Sequence, residues 1–386
     1  MVARLVTPAG GVRVVYKEGF MCHIDIREPS IVDRKGDDIM QTIQTPKEIK
    51  THLDKFIINQ DLAKKTLAVQ LYNHLKTELV GEYEIDMPRG VTLLIGNTGC
   101  GKSFMMKQIV EFSGLPYVTM DCTRISPSGY KGDNLETVFH QLIRDAESIE
   151  DAKYGIVFID EFDKLGGIGN EDQASFKRML QQELLGVFEG VPMKVNLGGG
   201  AFKSEAMFET KNLMIVCAGA FTGLTRKKVK DKVVGFSNKE KVEDEETPTP
   251  THEELERFGL IPELLGRITD IIKLKALTED DLVKILTEAE DNLLMQHRNA
   301  LLYDSIFVDF TKEALKTIAN QAIARGTGAR ALRTIISQII ADIQFDIVGK
   351  EDPTFVTINE DLTYNETKMM VLLAKNPQED DQNDVE

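Results

Sequence analysis

The hydrophobic pattern of the chain contains two short, nearly continuous apolar runs, at residues 91–95 and 156–159. Runs of this kind are typical of parallel strands that are buried on both faces of a sheet. The stretch from Phe104 to Phe112, directly after the first run, predicts a helix. Strand-like and helix-like patterns alternate to about residue 222, which indicates a parallel sheet with crossover helices.

The pattern changes after Arg267. A capping sequence at residues 277–282 predicts a helix that runs to about residue 298. The later periodicity predicts helices near 311–324 and 328–346, then closing strands at 355–357 and 369–373. Upstream of the sheet, residues 60–78 predict an amphipathic helix whose apolar positions are Leu62, Leu67, Leu71 and Leu75.

These patterns predict an α/β fold in which a large domain with a parallel sheet is followed by a smaller, mainly helical domain. We place the large domain at residues 44–270 and the small domain at residues 271–376. Residues 1–43 form a segment of unknown role with a β-like stretch at 11–16, and the acidic residues 377–386 are predicted to be disordered.

A glycine-rich sequence separates the first apolar run from the helix that follows it. Its residues match the phosphate-binding pattern G-x-x-x-x-G-K-[S/T] and are Gly96, Asn97, Thr98, Gly99, Cys100, Gly101, Lys102 and Ser103. Glycines let the backbone N–H groups point into one concavity, and the helix N-terminus adds partial positive charge. We expect Lys102 to reach the β- and γ-phosphates of ATP and Ser103 to ligate Mg²⁺. The alternative is a glycine-rich turn without a ligand.

Two carboxylates, Asp160 and Glu161, end the second apolar run. Parallel α/β sheets bind their ligands at the carboxyl ends of the strands, so both side chains are expected beside the phosphate-binding loop. Asp160 is predicted to hold Mg²⁺ through water, and Glu161 is predicted to polarise the attacking water. This pair predicts a nucleotide hydrolase, whereas two acids that merely cap a strand would carry no chemistry.

The composition narrows the range of partners. The 46 Lys and Arg against 62 Asp and Glu give a net charge of −16, so we expect no nucleic-acid partner. The sequence has no signal-like N-terminus and no apolar run of about 18 residues, so we expect a cytoplasmic protein without a membrane segment. We expect neither zinc nor a disulfide framework, because no C-x-x-C pair occurs among Cys22, Cys100, Cys122 and Cys217.

Four further segments, taken with these motifs, resemble the AAA+ protein unfoldases of the Clp/Hsp100 group, in particular the ClpX family, with the HslU family as the nearest relative. The resemblance covers residues 45–375 and rests on the order and spacing of its segments, which are 53–65, 128–132, 259–267 and 326–333. It implies an AAA+ P-loop NTPase large domain with a parallel sheet, a mainly helical small domain, and assembly into a homohexameric ring that hydrolyses ATP.

Two of these segments carry implied nucleotide contacts. Ile57 and Ile58 occupy the positions at which the backbone of the family contacts adenine, although Asn59 replaces the usual glycine. Arg330 matches the second sensor, which contacts nucleotide from the small domain. The alternative for Ile57 and Ile58 is an ordinary turn at the start of a helix. The alternative for Arg330 is a surface salt bridge.

The other two segments carry implied roles in translocation and in catalysis between subunits. Tyr130 and Lys131 lie in the sequence S-G-Y-K-G, where the family has its axial pore loop, and Lys131 departs from the usual aliphatic residue. Arg267 matches the arginine finger, which a neighbouring subunit presents to the γ-phosphate. The alternative for the pore loop is a surface turn that contains a tyrosine. The alternative for Arg267 is a surface salt bridge.

Three features bear on which family of the group the chain resembles most. Residues 162–217 leave little room for the long insertion of the HslU family. Val234, Gly235 and Phe236 stand where the ClpX family carries its Ile-Gly-Phe loop for docking a peptidase. We expect no zinc-binding N-terminal domain of the kind found in that family, because no cysteine pairs occur. Apart from this choice between families, the 214–221 segment has no polar residue at the expected position of the first sensor.

The leading hypothesis is therefore an ATP-dependent ring unfoldase that feeds unfolded or tagged proteins to a ClpP-like peptidase. A stand-alone protein remodeller without a peptidase shares every catalytic residue and remains open. A third interpretation is a nucleotide switch that does not translocate protein, against which Tyr130 and Glu161 argue.

Overall fold

The computed structural model describes residues 4–6, 12–14, 43–80, 90–127, 133–167, 171–196, 205–224, 249–350 and 352–368. The chain forms two compact units, Met1–Gln44 and Thr45–Glu386. In the first unit, strands β1 (Arg4–Val6) and β2 (Val12–Val14) pair in antiparallel fashion. Strand β2 lies within the β-like stretch that the sequence predicted.

A five-stranded parallel sheet occupies the second unit. Its strands are β3 (Val91–Ile95), β4 (Tyr117–Asp121), β5 (Ile156–Asp160), β8 (Met214–Gly219) and β9 (Ile268–Lys273). Their order across the sheet is β4-β5-β8-β3-β9. All neighbouring pairs are parallel, so the carboxyl ends of the inner strands β3, β5 and β8 meet at one edge. The predicted α/β fold with a parallel sheet is confirmed.

Both faces of this sheet are covered by apolar side chains. Leu93 and Cys217 belong to the core on one face, whereas Leu94 and Val216 belong to the core on the other. This alternation explains why the strands appear in the sequence as continuous apolar runs.

Helices and a hairpin surround the sheet. Helix α1 begins after Thr45, whose backbone N–H donates to Glu48 Oε2 at 2.6 Å in a reciprocal cap. The helices are α1 (Pro46–Phe56), α2 (Asp61–Val80), α3 (Lys102–Ser113), α4 (Leu135–Asp145), α5 (Ile149–Ala152), α6 (Glu171–Glu189), α7 (His252–Phe258) and α8 (Pro262–Leu265). The hairpin pairs β6 (Met193–Asn196) with β7 (Glu205–Phe208).

The described residues between 279 and 368 build a separate hydrophobic core. Their helices are α9 (Glu279–Thr287), α10 (Leu293–Leu302), α11 (Lys312–Ala324) and α12 (Ala329–Ile347). Their strands are β10 (Ile306–Phe310), β11 (Thr354–Ile358) and β12 (Tyr364–Lys368), of which β11 lies in the middle. Ile336, Ile343 and Val356 are fully buried in this core.

Three details differ from the sequence prediction. The single helix expected to run to residue 298 is two helices, because Asp291 has a left-handed backbone and Asn292 caps a new helix. A strand that the sequence analysis did not predict, β12, follows β11, because a turn at 359–363 reverses the chain and pairs the two strands in antiparallel fashion. Residues 369–373, predicted as a closing strand, lie outside the described residues. Leu62, predicted on the apolar face of α2, is 62% exposed.

Among the helices of the described residues, none is long and apolar enough to cross a membrane.

Candidate functional site

The glycine-rich loop connects β3 to α3 at the carboxyl edge of the sheet. Gly99 and Gly101 have φ angles of +81° and +101°, a left-handed conformation that glycine adopts without a steric penalty. Gly101 is the N-cap of α3 and provides no side-chain cap, so the first turn of α3 keeps N–H groups for an anion. The local fold therefore builds the cradle that the sequence predicted.

Lys102 and Ser103 begin α3 and point their polar atoms toward this loop. Lys102 Nζ donates to the carbonyl oxygens of Gly96 at 2.5 Å and Asn97 at 3.1 Å. Ser103 Oγ donates to Asp160 Oδ2 at 3.0 Å. A serine hydroxyl and a carboxylate are hard oxygen ligands, which fit Mg²⁺ bound together with nucleotide phosphates.

Glu161 follows Asp160 in a strained backbone conformation. Its φ angle is +55°, which is rare for a residue with a long side chain, and its N–H donates to Asp160 Oδ1 at 2.9 Å. The Glu161 carboxylate is half-exposed and lies 3.8 Å from Lys164 Nζ. Strain of this kind persists where the surrounding structure fixes it and is frequent at functional sites.

A cavity of about 260 Å³ brings the predicted residues together. Its walls combine the phosphate-binding loop, the ends of β5 and β8, and the start of α12, and its lining residues are Thr98, Gly99, Gly101, Lys102, Ser103, Phe104, Asp160, Glu161, Gly219, Ala220, Ala329 and Arg330. A basic group, a hydroxyl and two carboxylates thus face one space, which is the chemistry that binding and hydrolysis of a metal–nucleotide complex require.

The start of α12 lies directly on the glycine-rich loop. Ala329 N donates to Gly99 O at 3.2 Å. A Cβ atom on Gly99 would lie 1.9 Å from Thr327 O, so this close approach requires glycine. The neighbouring Arg330 is exposed and, among the described residues, takes part in no ion pair. The helical core therefore contributes a free guanidinium to the cavity.

Ile57 and Ile58 lie between α1 and α2 and do not line the cavity. The backbone of Ile57 is already used, since its N–H donates to Leu53 O and its carbonyl accepts from Lys64 Nζ at 3.1 Å. Asn59 has a φ angle of +59°, a conformation that glycine adopts freely and that asparagine tolerates better than most residues. This explains how asparagine can stand at a position where the family has glycine.

Arg267 follows α8 and pairs with a residue of α6. Its Nη2 pairs with Glu189 Oε1 at 2.6 Å, at the end of α6, and both side chains are partly exposed. The residue is not among those that line the cavity of the described chain. Arg267 therefore does not share the cavity with Lys102 and Glu161 of the same chain.

Asp163 is a buried residue of this region that the sequence analysis missed. Its Oδ1 accepts from Ala220 N at 3.2 Å, and its Oδ2 pairs with Lys164 Nζ at 3.1 Å. This contact fixes the end of β8 beside the cavity, where no polar first-sensor side chain is present. The feature of the sequence that could have indicated a role for Asp163 is its position two residues after Glu161.

Burial raises the pKa of the Cys100 thiol within the glycine-rich loop, although the nearby Lys102 ammonium acts in the opposite direction. The thiol therefore stays protonated at neutral pH and is a poor nucleophile. Cys100 serves here as a small apolar side chain, packed against Gly96.

Two groups of predicted site residues lie outside the described residues. They are Tyr130 and Lys131 of the predicted pore loop, and Val234, Gly235 and Phe236 of the predicted docking loop.

Comparison with known proteins gives two family matches. Residues 92–232 match the ATPase family associated with various cellular activities (AAA), and residues 277–348 match the C-terminal, D2-small domain of ClpB protein. The first match includes strands β4, β5 and β8 and nearly all of β3, and the second includes helices α9 to α12.

Most of the chain is also similar to curated relatives. It is 32% identical to the ATP-dependent Clp protease ATP-binding subunit ClpX 2 of Wolinella succinogenes, over 92% of this chain and 92% of the relative. It is 32% identical to the subunit ClpX of Borrelia duttonii, over 92% and 87%, and to that of Treponema denticola, over 94% and 91%. The resemblance to the ClpX family predicted from the sequence is confirmed.

Proposed function

This chain belongs to the ClpX family of AAA ATPases, and we propose that it is an ATP-dependent protein unfoldase that works as a homohexameric ring. The observation that carries this proposal is the cavity shared by Lys102, Ser103, Asp160, Glu161 and Arg330. The separate cores around the sheet and among α9–α12 support a division into a large domain at 44–270 and a small domain at 271–376.

ATP binds with its phosphates on the glycine-rich loop. Lys102 exchanges the carbonyls of Gly96 and Asn97 for the β- and γ-phosphates, which are stronger acceptors because they are charged. Ser103 would ligate Mg²⁺ and Asp160 would hold the ion through water, and the ion would neutralise phosphate charge. The N–H and the carbonyl of Ile57 already form hydrogen bonds within the chain. The backbone of Ile58 therefore makes most of the contacts with adenine.

Hydrolysis requires a base and a charge partner for the γ-phosphate. Glu161 orients the attacking water from the end of β5. Arg267 of the neighbouring subunit approaches the γ-phosphate, which agrees with its absence from the residues that line the cavity of its own chain. Arg330 joins the nucleotide to the small domain through the contact between α12 and the loop.

The polypeptide-handling parts of the proposal rest on sequence and on relatives. Tyr130 and Lys131 push unfolded or tagged proteins through the ring, and Val234, Gly235 and Phe236 dock a ClpP-like peptidase. The relatives carry the name of an ATP-binding subunit of Clp protease, which supports a peptidase partner. A ring without such a partner would be the stand-alone remodeller.

Replacing Lys102 with Ala is expected to weaken ATP binding by about 10- to 100-fold, since hydrogen bonds to charged groups contribute about 1.5–3 kcal/mol. Titration with a fluorescent ATP analogue measures this loss. Lys107→Ala is the matched control, because Lys107 lies on the same helix, is exposed, and pairs with Glu111. Equal affinity in wild type and Lys102→Ala would contradict the assignment of the phosphate-binding loop.

Replacing Phe236 with Ala is expected to abolish peptidase-coupled degradation while ATP hydrolysis continues. An aromatic anchor in a docking pocket contributes about 2 kcal/mol or more, so affinity for the peptidase should fall at least about 30-fold. The measurement is ATP-dependent degradation of fluorescein-labelled casein with the source organism's own ClpP-like peptidase.

Val233→Ala serves as the control for Phe236→Ala, because it changes the neighbouring apolar residue of the same segment. Degradation that is equal in wild type and Phe236→Ala would rule out this docking loop. ATP hydrolysis without any degradation by the wild type would instead favour the stand-alone remodeller.

A further inference from the structure

Two consecutive residues, Asn59 and Gln60, both have left-handed backbone conformations. Their φ angles are +59° and +62°, and each costs about 1–2 kcal/mol for a residue other than glycine. The Gln60 N–H donates to Asn59 Oδ1 at 2.9 Å, which supports this conformation locally. A strained pair of this kind persists only if further contacts fix it, and the Gln60 side chain supplies them.

Gln60 is buried, and its side-chain amide forms two hydrogen bonds with one backbone unit. Its Nε2 donates to Lys275 O at 2.8 Å, and Lys275 N donates to its Oε1 at 2.9 Å. The amide thereby pairs with Lys275 as a neighbouring strand would. Both partners are 215 residues apart in the sequence, so this contact fixes tertiary structure.

Lys275 belongs to the linker, which we define as residues 274–278 between β9 and α9. The preceding linker residue, Leu274, donates its N–H to Ile95 O at 2.7 Å, directly before the glycine-rich loop. At the other end of the linker, Thr278 caps α9 together with Asp281. The linker therefore joins the edge of the nucleotide cavity to the first helix of the small domain.

Two more contacts join the α1–α2 junction to the small domain. Glu290 N donates to Lys55 O at 2.7 Å, and the two side chains form an ion pair at 3.6 Å. Asn59 Nδ2 lies 3.5 Å from Asp281 Oδ2, the carboxylate oxygen that caps α9. The segment that carries Ile58 is thus bonded to the linker, to the first turn of α9, and to Glu290, which follows α9.

We propose that Gln60 is a positioning residue that transmits nucleotide binding at Ile58 to the linker, and so to the orientation of the small domain. The inference rests on the proposed function, because it takes Ile58 as the adenine contact. Gln60 is two residues from Ile58, and its two hydrogen bonds leave Lys275 little freedom to move independently. A shift of the adenine-binding segment therefore displaces the linker as well.

The test compares hydrogen–deuterium exchange with and without ADP in wild type and in Gln60→Leu. Leucine keeps a similar volume and removes both hydrogen bonds to Lys275. In the wild type, ADP should slow exchange of the amides at 276–290 by about threefold or more. In Gln60→Leu this ADP-dependent difference should disappear, while ADP affinity stays within about threefold because the phosphate-binding loop is intact.

Gln70→Leu is the matched control. Gln70 Nε2 also donates to two backbone carbonyls, those of Gly90 and Ile215, but these lie at the amino ends of β3 and β8, whereas the linker follows the carboxyl end of β9. This variant should keep the ADP-dependent difference at 276–290. If Gln60→Leu does not fold, Gln60→Met also removes both hydrogen bonds to Lys275 with an unbranched, uncharged side chain of similar length, and the same loss is expected.

The outcomes separate the inference from the function on which it rests. An unchanged ADP-dependent difference in a folded Gln60 variant overturns the role of Gln60, although ADP binding stands. Failure of the wild type to bind ADP overturns the proposed nucleotide site itself. Loss of the difference in Gln70→Leu as well would show a general loosening of the fold and would overturn the inference.

Discussion

Replacing Glu161 with Gln is expected to lower ATP turnover by about 10²- to 10⁴-fold, the range attributed to a positioned general base. Glutamine keeps the size of the side chain and removes the carboxylate that accepts a proton from water. The variant should still bind ATP, because Lys102, Ser103 and Asp160 are unchanged. ATP and protein substrate should therefore stay trapped on the ring.

The surroundings of Glu161 indicate that its replacement by Gln should change little in the protein apart from the carboxylate. The Glu161 side chain is half-exposed and contacts Lys164 only at 3.8 Å, so its replacement should have little effect on stability. Its strained backbone, with a φ angle of +55°, is equally strained for glutamine. The loss of turnover should therefore reflect the missing carboxylate.

Steady-state phosphate release measures turnover, and a filter-binding assay measures retained ATP. Glu150→Gln is a suitable control, because Glu150 lies in the short helix α5 and pairs with Lys153 on the surface. Turnover by Glu161→Gln within about threefold of wild type would be incompatible with general-base catalysis by this residue.

The sheet was predictable because its signal is local. Strands β3 and β5 are buried on both faces, so each appears as an apolar run that ends at the edge where ligands bind. The glycine-rich loop needs no tertiary context either, since its pattern fixes both the turn and the helix start. Fold class and nucleotide motifs therefore followed from short stretches of sequence.

The break between α9 and α10 was missed because tertiary contacts help to set it. Glu290 N bonds to Lys55 O instead of continuing a helix. Asn292 caps α10 by accepting from Met295 N at 2.9 Å, and this Asp-Asn sequence was a local signal of a new helix. Apolar periodicity continued across the break and outweighed that signal in the prediction.

The parts of the site that the sequence could not reveal depend on residues far apart in the chain. The pairing of Gln60 with Lys275, and the approach of Thr327 to Gly99, join segments more than 200 residues apart. No periodicity or motif encodes such contacts. Of the residues that line the cavity, the sequence analysis named those of the glycine-rich loop, Asp160, Glu161 and Arg330, and the structure shows how the start of α12 contacts that loop.

Replacing Arg267 with Ala is expected to lower ATP turnover by about 10³- to 10⁵-fold, the contribution of arginine fingers in other nucleotide hydrolases. The guanidinium compensates charge on the γ-phosphate that grows in the transition state, so ATP binding should change far less than turnover. Removal of Arg267 also frees Glu189, but a partly exposed ion pair contributes only about 0–1 kcal/mol to stability.

Arg257→Ala is the matched control for Arg267→Ala. Arg257 lies on the nearby helix α7, is exposed, and forms a comparable ion pair with Glu253 at 3.2 Å. This variant should hydrolyse ATP at the wild-type rate. A similar rate in Arg267→Ala would remove the arginine finger from the mechanism.

Mixing two inactive variants tests whether Arg267 acts on the neighbouring subunit. Arg267→Ala subunits keep Glu161, and Glu161→Gln subunits keep Arg267, so a site between the two kinds has both groups if the finger acts across the interface. In an equal, random mixture about a quarter of the sites should be complete, because each needs one subunit of each kind in a fixed order.

If instead Arg267 served the cavity of its own chain, every subunit in the mixture would carry one defect and turnover would stay at the level of the single variants. The structure favours recovery, because Arg267 pairs with Glu189 at the end of α6 and does not line its own cavity. Recovered turnover requires that subunits contact one another through the surface that carries Arg267. The same measurement therefore tests the finger and the ring together, and an inactive mixture of co-assembled subunits would contradict catalysis across the interface.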